Sequence, residues 1–146
     1  METECARFAS WKAASPAVLG ALYIATGSLH FAKLRELCNI VPPKGTWGLW
    51  YVPGQASFHV KWTGVVEILA GAGLVAGWFG VGPPGLLKKS AAVLFAVTAA
   101  VTPANVFMFT HGAEFLKGKK MPVLGHVARA AVQCAVLSAV WTLAAF

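Results

Sequence analysis

Aspartate does not occur in this 146-residue chain, and glutamate occurs only five times, at Glu2, Glu4, Glu36, Glu67 and Glu114. Charged residues of both signs make up 12% of the sequence, about half of the roughly 25% usual in soluble globular domains. A soluble helical bundle needs polar outer faces, yet the runs "AAVLFAVTAAV" and "CAVLSAVWTLAAF" have none. That shortage excludes an ordinary water-soluble domain. Cysteine is also scarce. Cys5, Cys38 and Cys134 are odd in number and contain no C-x-x-C, so neither a disulfide framework nor a thioredoxin-like site is indicated. No internal repeat or low-complexity segment is present. The N-terminus carries Glu2 and Glu4 and lacks both a compact basic start and a clear small-residue cleavage site, so it reads as a retained helix rather than a signal peptide.

What the chain has in abundance is apolar length. Hydrophobic residues make up 58% of it, and they fall into four runs, 13–31, 60–79, 90–109 and 123–146, each of about 20 residues. That is the helix length that crosses a hydrocarbon core of about 30 Å. The expected architecture is all-α: a single-domain, multi-pass integral membrane protein, residues 1–146, built as a four-transmembrane-helix bundle. Four spans place both termini on one side, side A, together with the helix-breaking turn "GVGPPGLLKK". Side B then holds the long first loop, about 32–59, and the short loop "HGAEFLKGKKMP". Trp11, Trp78 and Trp141 fall near side A, and Trp47, Trp50 and Trp62 near side B, as aromatic belts at both interfaces require. Arg7, Lys12, Lys88 and Lys89 on side A face Lys33, Arg35, Lys44, Lys61, Lys117, Lys119 and Lys120 on side B, which favours side B in the cytosol. The net charge of +7 flanks apolar spans, so its expected partner is the anionic headgroup of the lipid bilayer and not nucleic acid. A membrane-protein partner or a second copy of the chain are further expected partners. The first loop, "NIVPPKGTWGLWYVPGQASFHV", is broken by Pro and Gly and rich in aromatics, and is expected to lie along the interface and cap the side B end.

Each span carries one polar or small stripe at helical spacing. These are Tyr23, Thr26 and His30 on the first; Gly64, Glu67 and Gly71 on the second; Thr98, Thr102 and Asn105 on the third; His126, Arg129 and Gln133 on the fourth. His30, Glu67, Asn105, His126, Arg129 and Gln133 all belong to the side B half of the bundle. An isolated ion at mid-bilayer costs about 2.5–3.5 kcal/mol on insertion scales. Pairing Glu67 with Arg129 is therefore expected, with His30, Asn105 and Gln133 completing the hydrogen bonds. Pro103 is expected to kink the third span beside this cluster. His111 and His126 read as boundary residues. The four histidines, His30, His59, His111 and His126, are scattered with no H-x-x-x-H, so no metal site is expected. Two readings of the cluster stand side by side: polar glue that fixes helix register, or a site that handles a ligand.

Several short segments together resemble the DoxX and DoxX-like family of small four-helix membrane proteins, over about 18–143. They are "GSLHF" (27–31), "GVVEILAGAGL" (64–74), "TPANVFMFTHG" (102–112) and the R-x-x-x-Q of Arg129 and Gln133. The resemblance implies His30, Glu67, Asn105 and Arg129 as a family-like polar set, to which Tyr23, Thr102 and Gln133 are added by their spacing. It also implies one of two roles. The first is an accessory or assembly protein whose cluster binds a partner or a lipid-like ligand. The second is a quinone-associated redox subunit similar to those of quinol oxidase or thiosulfate:quinone oxidoreductase. No cofactor ligand set is evident in the residues themselves, which favours the first.

Overall fold

The computed structural model describes residues 2–114 and 120–145, and the side chains among them from Pro16 onward. The side chains of Arg7, Trp11 and Lys12, and the residues Lys117 and Lys119, all assigned above to one side or the other, lie outside that description. The elements in order are α1 (Glu2–Ala32), α2 (Leu34–Cys38), a 3₁₀ turn (Thr46–Gly48), α3 (Ala56–Trp78), α4 (Leu86–Ala100), α5 (Thr102–His111) and α6 (Val123–Ala145). No strand occurs among the described residues.

Among the described residues, three helical stretches are long and apolar enough to cross a membrane: Ala56–Trp78, Leu86–His111 and Val123–Ala145. The described part of α1 that is continuously apolar, Pro16–Ala32, is shorter. The stretch Leu86–His111 is interrupted where expected. Pro103 cannot donate a backbone hydrogen bond to the Ala99 carbonyl, and α4 stops at Ala100 with α5 starting at Thr102. The turn between α3 and α4 runs through Gly82 (φ 105°) and Gly85 (φ 76°), left-handed conformations that side-chain-bearing residues resist.

The helices pack in a row: α1 on α3, α3 on α4, and α4 on α6, with no comparable interface between α1 and α6 among the described residues. The closest pair is α1 with α3, and glycine makes it so. A methyl group at Gly27 would lie 2.7 Å from the Gly64 carbonyl oxygen, and one at Gly71 would lie 2.7 Å from the Gly20 carbonyl oxygen. Both helices carry glycines seven residues apart, and the antiparallel pairs Gly20–Gly71 and Gly27–Gly64 meet face to face. In lipid, where apolar burial does not drive helices together, such close backbone approach is a main source of association through van der Waals contact.

The two ends of the bundle differ. Toward the α3–α4 turn, Tyr23, Ala70, Leu74, Ala91, Leu94, Val97 and Val140 form one buried apolar core, with Leu74, Ala91, Leu94 and Val140 fully enclosed. Toward the first loop the same four helices enclose space. The loop roofs this end: Trp47 sets its ring edge-on to Trp50, Phe107 and His111, at centroid distances of 6.4, 6.3 and 5.9 Å. The capping expected of the aromatic loop is therefore formed.

Candidate functional site

The hollow end is a cavity of about 830 Å³. Its roof is Leu37, Ile40, Val41, Pro42, Trp50 and Val52 from the loop, and its walls come from α1, α3, α4, α5 and α6. Six of the seven residues picked out from the sequence, Tyr23, His30, Glu67, Asn105, Arg129 and Gln133, line it directly. The seventh, Thr102, joins the same hydrogen-bond network from behind.

On the α1–α3 wall the backbone fixes the chemistry. The His30 Nδ1 lies 2.9 Å from the Val60 carbonyl oxygen. A carbonyl only accepts, so Nδ1 carries the hydrogen and the opposite ring nitrogen is left facing inward. That Nε2 sits 3.8 Å from Glu67 Oε2, and Thr26 Oγ1 donates to the same carboxylate oxygen at 3.1 Å. Thr63 Oγ1, bonded to the His59 carbonyl at 2.8 Å, supports the ring at 3.2 Å. Glu67 is 6% exposed. An imidazole nitrogen with a lone pair and a carboxylate repel each other, so one proton held by either group makes this contact favourable. Chemically, the pair can hold and pass a proton.

On the α4–α5–α6 wall, Asn105 is the hub. Its amide donates to Gln133 Oε1 at 2.6 Å, and its carbonyl oxygen accepts from the Arg129 guanidinium. Gln133 in turn donates to the Thr102 hydroxyl at 2.6 Å and to the Thr98 carbonyl at 3.2 Å. Asn105 stands just after the break before Pro103, and both of its partners, Arg129 and Gln133, belong to α6. The two walls meet at Thr98, whose hydroxyl shares a 2.6 Å hydrogen bond with the Tyr23 phenol.

One expectation is corrected here. Glu67 does not take Arg129 as its ion-pair partner; its contacts are Thr26 and His30, while Arg129 reaches Asn105. The reason is the packing order. α3 and α6 are separated by α4, whereas α1 is drawn against α3 by the glycines and brings His30 with it. Sequence spacing also left three residues outside the chosen set. Thr26 and Thr98 stand on the expected stripes, and Thr63 stands one turn before Glu67 on its face; each now holds a central hydrogen bond. Gly20 and Gly27 carried a signal that spacing alone offers, since their seven-residue interval matches that of Gly64 and Gly71.

The remaining histidines have other surroundings. His59 lines the cavity roof with Nε2 2.9 Å from the Pro53 carbonyl. His111 stacks on Phe107 at 4.7 Å, and His126 meets Phe109 edge-on at 5.4 Å. No group of three metal-binding side chains occurs among the described residues. Cys38, beside the roof, is half-buried; burial pushes its thiol up, an effect that Lys61 partly offsets.

Fold and site together define, among the described residues, an all-α protein with three helices long and apolar enough to cross a membrane and a largely apolar cavity that carries two sets of hydrogen-bonded polar side chains. Residues 19–144 match the family described as a domain of unknown function (DUF8561), and the chain belongs to that family. No curated protein and no solved structure matches it. The resemblance to the DoxX family is thereby overturned: the family that matches is a different, uncharacterised one, and nothing shows DoxX. The shared segments are short, and their composition answers a general demand. A glycine beside an intramembrane carboxylate, or a proline-broken helix bearing an amide, suits any small bundle that packs closely around polar groups. The quinone-linked role that the resemblance implied loses its basis with it.

Proposed function

We propose that this chain is a four-span integral membrane protein that holds an amphiphilic, lipid-like molecule in its cavity. The observation that carries the reading is the cavity itself. Its volume of about 830 Å³ lies in the range of roughly 300–1,000 Å³ typical of small-molecule sites. Its polar groups are gathered on two adjoining walls beneath an apolar roof, an arrangement matched by a molecule with one polar end. Access supports the same reading. Ala128 and Val132 on α6 line the cavity and are exposed, which supports a mouth on the side where α1 and α6 lack an interface. In a bilayer that mouth opens to lipid.

The fourth span is α1. Its apolar part and its glycine face against α3 support this, since a helix packed along a spanning helix at backbone contact shares its depth. The first loop then lies at the interface of side B, and the excess of basic residues there favours a cytosolic location for it.

The test is purification in mild detergent, extraction, and mass-spectrometric identification of what co-purifies. The wild type is expected to retain an amphiphile near one per chain. Ala104→Trp, which fills the cavity from α5, and Ala128→Trp, which blocks the mouth, are expected to lose it while keeping the wild-type helical signal. A wild type that retains no amphiphile, and whose melting temperature no added lipid raises, would overturn the reading. A stable protein partner bound to a chain with an empty cavity would turn it toward partner assembly.

A further inference from the structure

The α5–α6 wall has two faces. On its outer side lies a second recess of about 390 Å³, and Asn105, Arg129 and Gln133 line both this recess and the central cavity. The hydrogen-bonded trio is therefore a partition one side chain thick, with an apolar compartment on each side. The outer compartment is built from Val106, Phe109, Val127, Ala130 and Leu137. Val106, Phe109 and Val127 are 43%, 60% and 58% exposed, so it opens toward the surroundings.

Three further features specify what fits. No carboxylate lines the outer recess among the described residues, and its basic side chains are His126 and Arg129. Lys120, exposed, stands just before α6 at the same end. Arg129 follows the first residue of α6 by six positions, which places it about 9 Å along the helix at 1.5 Å per residue. In the four-span arrangement that position lies in the side B half of the membrane, on the headgroup side of its midplane.

Building on the amphiphile reading above, we propose that the occupant is an anionic two-chain phospholipid straddling the partition. Its phosphate sits at the Arg129–Asn105–Gln133 wall, one acyl chain occupies the outer recess, and the other enters the central cavity. Charge complementarity selects the acidic headgroup, and the paired compartments select the forked tail. A single-chain amphiphile fills one compartment only.

Native mass spectrometry of the delipidated full chain, titrated with three probes, tests this. The probes are dioleoyl phosphatidylglycerol, its single-chain lyso form, and dioleoyl phosphatidylcholine. Phosphatidylglycerol is expected to bind about tenfold more tightly than phosphatidylcholine, whose phosphate offers the same oxygens but whose choline cation meets the positive charge of this wall, and Arg129→Met is expected to erase that preference. Ala130→Trp, with Leu137→Trp as a second recess-filling variant, is expected to bring the two-chain lipid down to the affinity of the lyso form and leave the lyso form unchanged. Unaltered melting temperature and circular dichroism establish that each variant is folded. Equal binding of the two-chain and lyso forms to wild type, unchanged by either tryptophan, would overturn the inference and leave the amphiphile reading standing. Equal binding of phosphatidylglycerol and phosphatidylcholine would overturn its anionic part. Failure of the wild type to bind any of the three would instead sink the amphiphile reading itself.

Discussion

Replacing Gly27 by alanine should separate the two helices that carry His30 and Glu67. The added methyl would meet the Gly64 carbonyl oxygen at 2.7 Å, Ile68 Cγ1 at 2.9 Å and Glu67 Cβ at 3.0 Å. Two of these neighbours are backbone or Cβ atoms that cannot swing aside, so α1 must retreat. Restoring ordinary contact from 2.7 Å requires about 0.7 Å of movement. The interhelical hydrogen bonds at this level start at 2.9 Å for His30 to Val60 and 3.1 Å for Thr26 to Glu67. The same displacement takes both beyond the roughly 3.2 Å at which such bonds remain strong. Interhelical hydrogen bonds in membranes average about 0.6 kcal/mol and reach about 1.7, so losing two destabilises the bundle by about 1–3 kcal/mol. Alanine's higher helix propensity offers little compensation, because separated membrane helices are already helical. The assay is reversible unfolding in mixed micelles, combined with the ¹⁵N signals of His30. Gly64→Ala, whose methyl would meet His30 Cβ at 2.7 Å, should act alike. Gly20→Ala should weaken packing at the far end and leave the His30 signals in place. Wild-type stability and unchanged His30 signals in Gly27→Ala would refute the reasoning.

Three other outcomes are expected. In double-mutant cycles, Glu67→Gln should couple to His30→Ala by about 0.5–1.5 kcal/mol and to Arg129→Met by less than about 0.5 kcal/mol, since contacts couple and separated networks nearly add; the reverse order would restore the Glu67–Arg129 pairing read from the sequence. Trp47 holds a left-handed backbone (φ 54°), so Trp47→Gly should be more stable than Trp47→Ala by about 1 kcal/mol, measured by the same unfolding assay, although both lose the ring contacts that anchor the roof. Finally, the thiolate is the reactive form of cysteine, and burial raises the Cys38 thiol. In a Cys5→Ala, Cys134→Ala background, maleimide labelling of Cys38 should therefore be slow at neutral pH and accelerate only on the alkaline side. Adding Lys61→Met, which removes the charge that favours the thiolate, should slow it further; rapid labelling at neutral pH would contradict this.

Much of the fold was legible because its determinants are local. Apolar length marked the helices, the Gly-Pro-Pro-Gly turn marked the break between α3 and α4, and Pro103 marked the interruption after Ala100. Helical spacing was enough to place Tyr23, His30, Glu67, Asn105, Arg129 and Gln133 around one space. What spacing could not supply was the order of the helices around that space. Pairing by charge joined Glu67 to Arg129, the two strongest unlike charges in the stripes. The fold instead obeys the glycine pairs, whose close approach is decided by shape, and these set His30 beside Glu67. The hydroxyls were undervalued for a related reason. Thr26, Thr63 and Thr98 look unremarkable in a sequence, and each becomes essential only once a particular carbonyl or carboxylate lies opposite.

The contrast between the two ends of the bundle bears on whether the polar network is merely glue. At the packed end, Leu74, Leu94 and Val140 are fully enclosed among apolar neighbours such as Leu19, Leu87 and Phe95, with one shared Tyr23–Thr98 hydrogen bond at the edge. Among the described residues, that end holds its helices together without an ion pair. If register were the only requirement, the same solution repeated at the other end would fill the space, since each polar interhelical bond contributes only about 0.6 kcal/mol while every buried ionisable group carries a desolvation cost. The chain instead places Glu67, His30 and Arg129 where the helices diverge, leaves about 830 Å³ between them, and roofs it with aromatic residues. Polar groups that line space, and not a helix seam, support the proposal that a ligand enters it.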